Sequence, residues 1–208
     1  SDLSARFVKI TPDRVDSEID YGLRQILEFF QVDRVGLARA FPERPTYQII
    51  YGVYGESVPP VPVGVELPRS LYPWASEKLG EKHEVVSFSR LEDLPPEAKV
   101  DKQSFAEWGI RSALDIPIIT GGSAVHVIAI NSVKSERVWP EELFPRLQLL
   151  GEIFVNALER KHVRLEIQER LRFESLISDL STSFINLPAD QVDREINKGL
   201  RSITEFFN

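Results

Sequence analysis

The chain contains its own beginning twice. Residues 2–31 read DLSARFVKITPDRVDSEIDYGLRQILEFFQ, and residues 179–208 read DLSTSFINLPADQVDREINKGLRSITEFFN. Aligned without a gap at an offset of 177, they share 16 of 30 positions. The apolar matches include Phe7/Phe184, Val15/Val192, Ile19/Ile196, Leu23/Leu200 and Phe30/Phe207. Asp13/Asp190, Asp16/Asp193 and Glu18/Glu195 match as well. Two amphipathic helices alike by chance would share a period, but they would not share those polar positions. The expected organisation is therefore a tandem of units of about 177 residues. Residues 1–10 would end an upstream linker helix, and 11–160 would form a globular domain. A coiled-coil linker helix over 161–187 would follow, and 188–208 would be the first helix of a second, truncated repeat. Its apolar face (Val192, Ile196, Leu200, Ile203, Phe207) needs cover, and we expect that cover from another chain.

Composition narrows the function classes. The 208 residues carry 25 basic and 32 acidic side chains, a net charge of −7, which argues against nucleic acid as a partner. No apolar run approaches the length of a membrane span, and no signal peptide is visible, so the expected setting is the cytoplasm without membrane contact. Cysteine is absent, which excludes disulfides, thiolate zinc sites, a cysteine nucleophile and any cofactor tethered through sulfur. Methionine is absent too, position 1 included, so we expect a fragment of a longer protein.

Periodicity supplies the elements. Thr11 can cap a helix over 12–30, with Pro12 at its first position and Val15, Ile19, Leu23, Ile26 and Phe30 on one face. Residues 33–41 and 46–54 read as a hairpin, and the Pro-rich run 58–68 as a loop. A short helix over 69–80, a strand over 84–88 and a helix over 96–108 follow. Residues 110–119 and 124–133 are strands joined by a turn at 120–123, with Pro117 marking an edge or a bulge. A long helix opens at Pro140. From Phe173 its apolar spacing becomes a strict 4-3-4-3: Phe173, Ile177, Leu180, Phe184, Leu187. That is a coiled-coil seam, and we expect a parallel homodimer through it; packing of this helix on its own domain is the alternative. The element order gives an α+β fold, an antiparallel sheet with helices on both faces.

An ordered set of motifs resembles a GAF domain, in particular the GAF modules of bacterial multidomain sensor histidine kinases. The set is Tyr72-Pro73-Trp74, residues 86–95 (VSFSRLEDLP), Gly109-Ile110-Arg111-Ser112, Gly121-Gly122, Asn131-Ser132-Val133 and Arg137-Val138-Trp139-Pro140. It spans about residues 12–160. The resemblance implies a GAF-like antiparallel sheet of five or six strands, the terminal helices on one face, a small-molecule pocket on the other, and a long C-terminal signalling helix. It also implies a non-catalytic sensory role in bacterial two-component signal transduction; a ligand-free dimerisation and spacer module is the alternative. His126 stands where such domains often have glycine, and the cyclic-nucleotide signature is missing. The enzymes of the fold depend on cysteine, so no catalytic residue is expected here.

Candidate ligand contacts follow from the expected cavity. They are Tyr51, Tyr54, Tyr72, Trp74, Phe88 and Trp108, with Trp74 favoured because its helix would cross the pocket face. Arg111 and Asp115, four residues apart, would share one strand face and could orient a polar ligand, pair with each other or face water. His126 could line the pocket or simply be packed. The ligand is an unknown small molecule. No bilin can be tethered through sulfur, and haem on a single histidine is not expected. His83, His126 and His162 show no metal-binding spacing, so no metal is expected.

Overall fold

The computed structural model describes residues 10–41, 43–120, 125–185, 188 and 191–206. The expected linker end at 1–9, the Gly121-Gly122 turn, Leu187 and Phe207 lie outside them. Two compact units are defined, one ending at Leu158 and one running from Glu159.

In the first unit, a 3-10 turn at Pro12–Arg14 leads into α1, Val15–Phe30. Thr11 contributes its backbone carbonyl to this start but makes no side-chain cap. Val15, Ile19, Leu23 and Ile26 are buried at the helical spacing read from sequence. Gln31 ends the helix in a left-handed conformation (φ 49°), its N–H donating back to Glu28 and Leu27.

Six strands follow: β1 Arg34–Ala40, β2 Thr46–Tyr54, β3 Glu66–Pro68, β4 Val86–Phe88, β5 Ser112–Ile119 and β6 Val125–Ser132. They form one antiparallel sheet in the order β3-β2-β1-β6-β5-β4. β3 lies inside the stretch read as a loop; three residues between prolines are too short to show a period. Pro117 falls beyond the reach of β4, which pairs only with Ala113–Asp115 of β5, so at this position β5 has a strand partner on one side, β6.

One sheet face carries Val35, Leu37, Val53, Leu114, Ile116, Ile118, Ile128 and Ile130. α1 packs there, together with the opening turns of α4, Phe144–Phe184, through Leu147, Phe154 and Val155. Gly22 of α1 sits directly under the Phe154 ring, and Gly151 of α4 sits directly on Ile118. On the opposite face lie α2, Pro73–Ser76, continued by a π-helical turn at Glu77–Glu81, and α3, Lys99–Glu107. The stretch 69–80 is thus three short pieces, a 3-10 turn at Arg69–Leu71 among them, rather than one helix.

Asp33, just before β1, is buried and clasps the end of β6. It accepts hydrogen bonds from the N–H groups of Val133 (2.8 Å) and Lys134 (3.0 Å) and from the Ser132 hydroxyl (3.3 Å). Burial raises its pKa, but these donors outweigh burial and hold it below the usual carboxylate value.

In the second unit, α4 ends at Phe184, short of the predicted residue 187. α5, Val192–Phe206, folds back along it. The rings of Phe173 and Phe206 lie 5.7 Å apart, and Gly199 approaches Leu180 closely enough that a Cβ would lie 3.0 Å from Cδ2. Ile177, Phe184, Ile196 and Leu200 remain exposed at 45%, 41%, 43% and 56%. Among the described residues, no helix is long and apolar enough to cross a membrane.

Candidate functional site

The sheet face turned away from α1 holds a cavity of about 150 Å³. Its floor is made of small residues at alternate positions: Gly36 and Ala38 on β1, and Ala129 on β6. Large apolar residues occupy the intervening positions and fill the core on the other face. The alternation Val35-Gly36-Leu37-Ala38 thus builds a packed face and a hollow face in one strand. Tyr47, Ile49, Tyr54 and Leu67 wall one side; Tyr72, Ala75, Leu79, Phe105 and Trp108 wall the other. Tyr54 donates to the Val61 carbonyl at 2.8 Å, tying the rim loop down. Tyr72 packs on Phe105 with ring centroids 5.0 Å apart.

Asp101 of α3 positions one wall. It is fully buried, and its carboxylate accepts from the N–H groups of Trp74 (3.2 Å) and Ala75 (2.8 Å), capping α2 from another element. Burial nonetheless raises its pKa.

Three polar side chains enter the cavity from three strands: Arg34, Asn131 and Asp115. Arg34 donates one bond through Nη1 to the Trp108 carbonyl at 3.2 Å. Arg34 Nε, Asn131 Oδ1 and Asp115 Oδ1 are buried with no hydrogen-bond partner among the described residues. Burial alone pushes the Asp115 carboxyl up to about 7. The same desolvation, with Asp115 next in effect, raises Tyr72.

Of the nine candidate contacts, four line the cavity: Tyr54, Tyr72, Trp108 and Asp115. The other five lie elsewhere, each for a physical reason. Tyr51 faces α1, where its hydroxyl donates to Asp16 at 2.6 Å. The register of β1 on β2 slips between Leu37/Tyr51 and Ala38/Ile49, leaving Ile50 as an extra residue, and this bulge turns Tyr51 to the helix side. Trp74 sits one residue round α2 from Ala75 and Leu79, which face the sheet, so it packs between the two lesser clusters instead. Phe88 is core, 4.9 Å from Phe105. Arg111 precedes β5 and is exposed while Asp115 is buried, so of the alternatives for the pair Arg111 takes the one that faces water. His126 is buried on the face of Ile128 and Ile130, away from the cavity. Sequence reading missed Arg34, Asn131, Tyr47 and Asp101. For Arg34 a signal was available, since it opens the large–small alternation of β1. Among the described residues, no three histidine or acidic side chains gather as a metal site.

The Asp115 carboxyl makes stability depend on pH. The folded state keeps a proton that the unfolded chain releases near pH 4. The stability this contributes is complete below about pH 4 and is lost as pH rises through about 7. Asp115→Asn removes the ionisation, so its urea midpoint should fall less between pH 5 and pH 8 than that of the parent. Equal falls would show that Asp115 is not desolvated.

This architecture has counterparts among solved structures, although no protein-family model and no curated protein matches the sequence. The phycoerythrobilin-bound GAF domain from a cyanobacterial phytochrome matches with a TM-score of 0.63 at 16% identity, covering 78% of this chain and 93% of that one. The phycocyanobilin-bound GAF domain from a cyanobacterial phytochrome gives 0.61 at 16%, covering 78% and 95%. A bacteriophytochrome from the photosynthetic bacterium R. palustris gives 0.70 at 13%, covering 98% of this chain and 44% of that one. This chain therefore spans less than half of that protein. At these identities the likeness defines the fold, which is GAF-like: a six-stranded antiparallel sheet extended by a long C-terminal helix.

Proposed function

We propose that the chain is a non-catalytic, small-molecule sensory module of a bacterial signal-transduction protein such as a sensor histidine kinase. It would work in the cytoplasm as a homodimer through α4 and report ligand state along that helix. One observation carries the reading: an apolar cavity is lined by Arg34, Asn131 and Asp115 from three strands, and each of these side chains has a buried polar atom with no hydrogen-bond partner among the described residues. Each costs free energy until a partner arrives. A ligand-free spacer would fill this space with its own Trp74 and His126, and neither lines the cavity.

Two of the neighbouring structures hold bilins, but the residues here do not fit one. There is no cysteine for a sulfur tether.

A route from cavity to helix runs through β5 and β6. Asp115 and Asn131 face the cavity, while Ile116, Ile118, Ile128 and Ile130, on the same strands, carry the α4 seat at Gly151 and Phe154. A ligand shifts the helix only by binding two strand–helix arrangements with different affinity. Native mass spectrometry of the full chain tests the reading. The expected result is a dimer that releases a small molecule on denaturation, and that becomes monomeric when Ile177 and Leu180 are both changed to Lys. A monomeric parent chain, or a dimer indifferent to those changes, overturns the proposed relay.

A further inference from the structure

We propose that α5 docks on the sheet of a second copy of this chain, in the seat that α1 holds against the face of Val35, Leu37, Val53 and Ile130. α1 buries five residues: Val15, Ile19, Gly22, Leu23 and Ile26. At the offset of 177 their counterparts in α5 are Val192, Ile196, Gly199, Leu200 and Ile203, the same residue type at every position. Five of the 16 positions of α1 differ from their counterparts, Tyr21/Lys198 and Leu27/Thr204 among them. In α1 each of those five is exposed or half-buried. The buried set is thus identical, and the differences lie outside it.

Two further features of the seat are met by α5. The Tyr51 hydroxyl on β2 donates to Asp16 of α1 at 2.6 Å, and Asp193 stands at the matching position of α5. The Phe154 ring occupies the space that a Cβ at residue 22 would need, so the seat demands glycine there, and α5 brings Gly199. An unrelated amphipathic helix would supply the apolar spacing without either feature. Folded back along its own α4, α5 buries Gly199 but leaves Ile196, Leu200 and Ile203 exposed. In a seat left by α1 all three would be covered. Each chain offers one sheet and one α5, so two copies can close the exchange reciprocally. The displaced α1 exposes a like face, and its short tether favours its own seat by an effective concentration of roughly millimolar. A second copy therefore enters where α1 is loosened.

The test uses two full-length chains and NMR. The recipient is ¹⁵N-labelled; Ile19→Ala and Leu23→Ala loosen its α1, and Ile196→Asp and Leu200→Asp disable its own α5. The donor is the unlabelled parent chain. Adding donor should shift the recipient amides of Val35, Leu37 and Val53 saturably. Leu200→Asp in the donor should weaken this at least about tenfold, because a charge would enter the seat. Gly199→Val in the donor should weaken it about as much, although it also crowds Leu180 and so loosens α5 from its own helix. Shifts indifferent to both donor changes would mean association through α4 or general stickiness, and would overturn the proposal. If the alanine pair leaves the recipient unfolded, Leu23→Val replaces it. Absence of donor-induced shifts in that recipient as well overturns the proposal.

Discussion

Phe154→Ala is expected to cost about 4 kcal/mol and to lower the melting temperature of the first unit by about 10 °C. Phe154 is fully buried where α4, α1 and the sheet meet, and its ring fills the notch left by Gly22. Alanine would leave a void bordered by Leu23, Val35 and their neighbours in the main core, and these have little freedom to close it. Differential scanning calorimetry checks the figure. A loss under about 1 kcal/mol would mean that α4 is not seated there. Phe154→Leu should cost markedly less, because most of the volume stays.

Gly151→Val should be nearly as damaging, for the opposite reason. A Cβ at Gly151 would intrude on Ile118 and lie 2.9 Å from Ile128 Cδ1, and both isoleucines are fully buried. Inserted methyls would lift the helix from the sheet or force those side chains off their rotamers, at about 3 kcal/mol. The two substitutions should also differ in how they touch function. Gly151→Val displaces α4 from the strands that carry Asp115 and Asn131, so it should alter ligand response as well as stability. Hydrogen exchange along residues 159–184, compared with and without a bound probe, reads that difference. An unchanged response would remove the Gly151 contact from the relay.

The repeat gives Gly22 and Gly199 one shared role. Both lie at the same place in the duplicated segment, and both let a helix approach α4 closely, at Phe154 in the first unit and at Leu180 in the second. The flanking residues fare differently. Ile19 and Leu23 are fully buried on the sheet, whereas their counterparts Ile196 and Leu200 are exposed. The same sequence is thus a core element where a sheet lies beneath it and an open apolar face where none does.

Helical spacing read locally placed α1 and its buried face correctly, and the β-branched runs located five of the six strands. Those features depend on residues a few positions apart, and a sequence displays them directly. The absence of sulfur ligands is likewise a property of composition alone. Tertiary structure decided which face each candidate took. One extra residue at Ile50 sent Tyr51 to the helix side, and one step round α2 withdrew Trp74 from the cavity. It also decided the site itself, since Arg34, Asp115 and Asn131 meet only because β1, β5 and β6 lie side by side. Strand pairing between distant segments leaves no local period to read, so the converging polar atoms emerge only once the sheet is assembled.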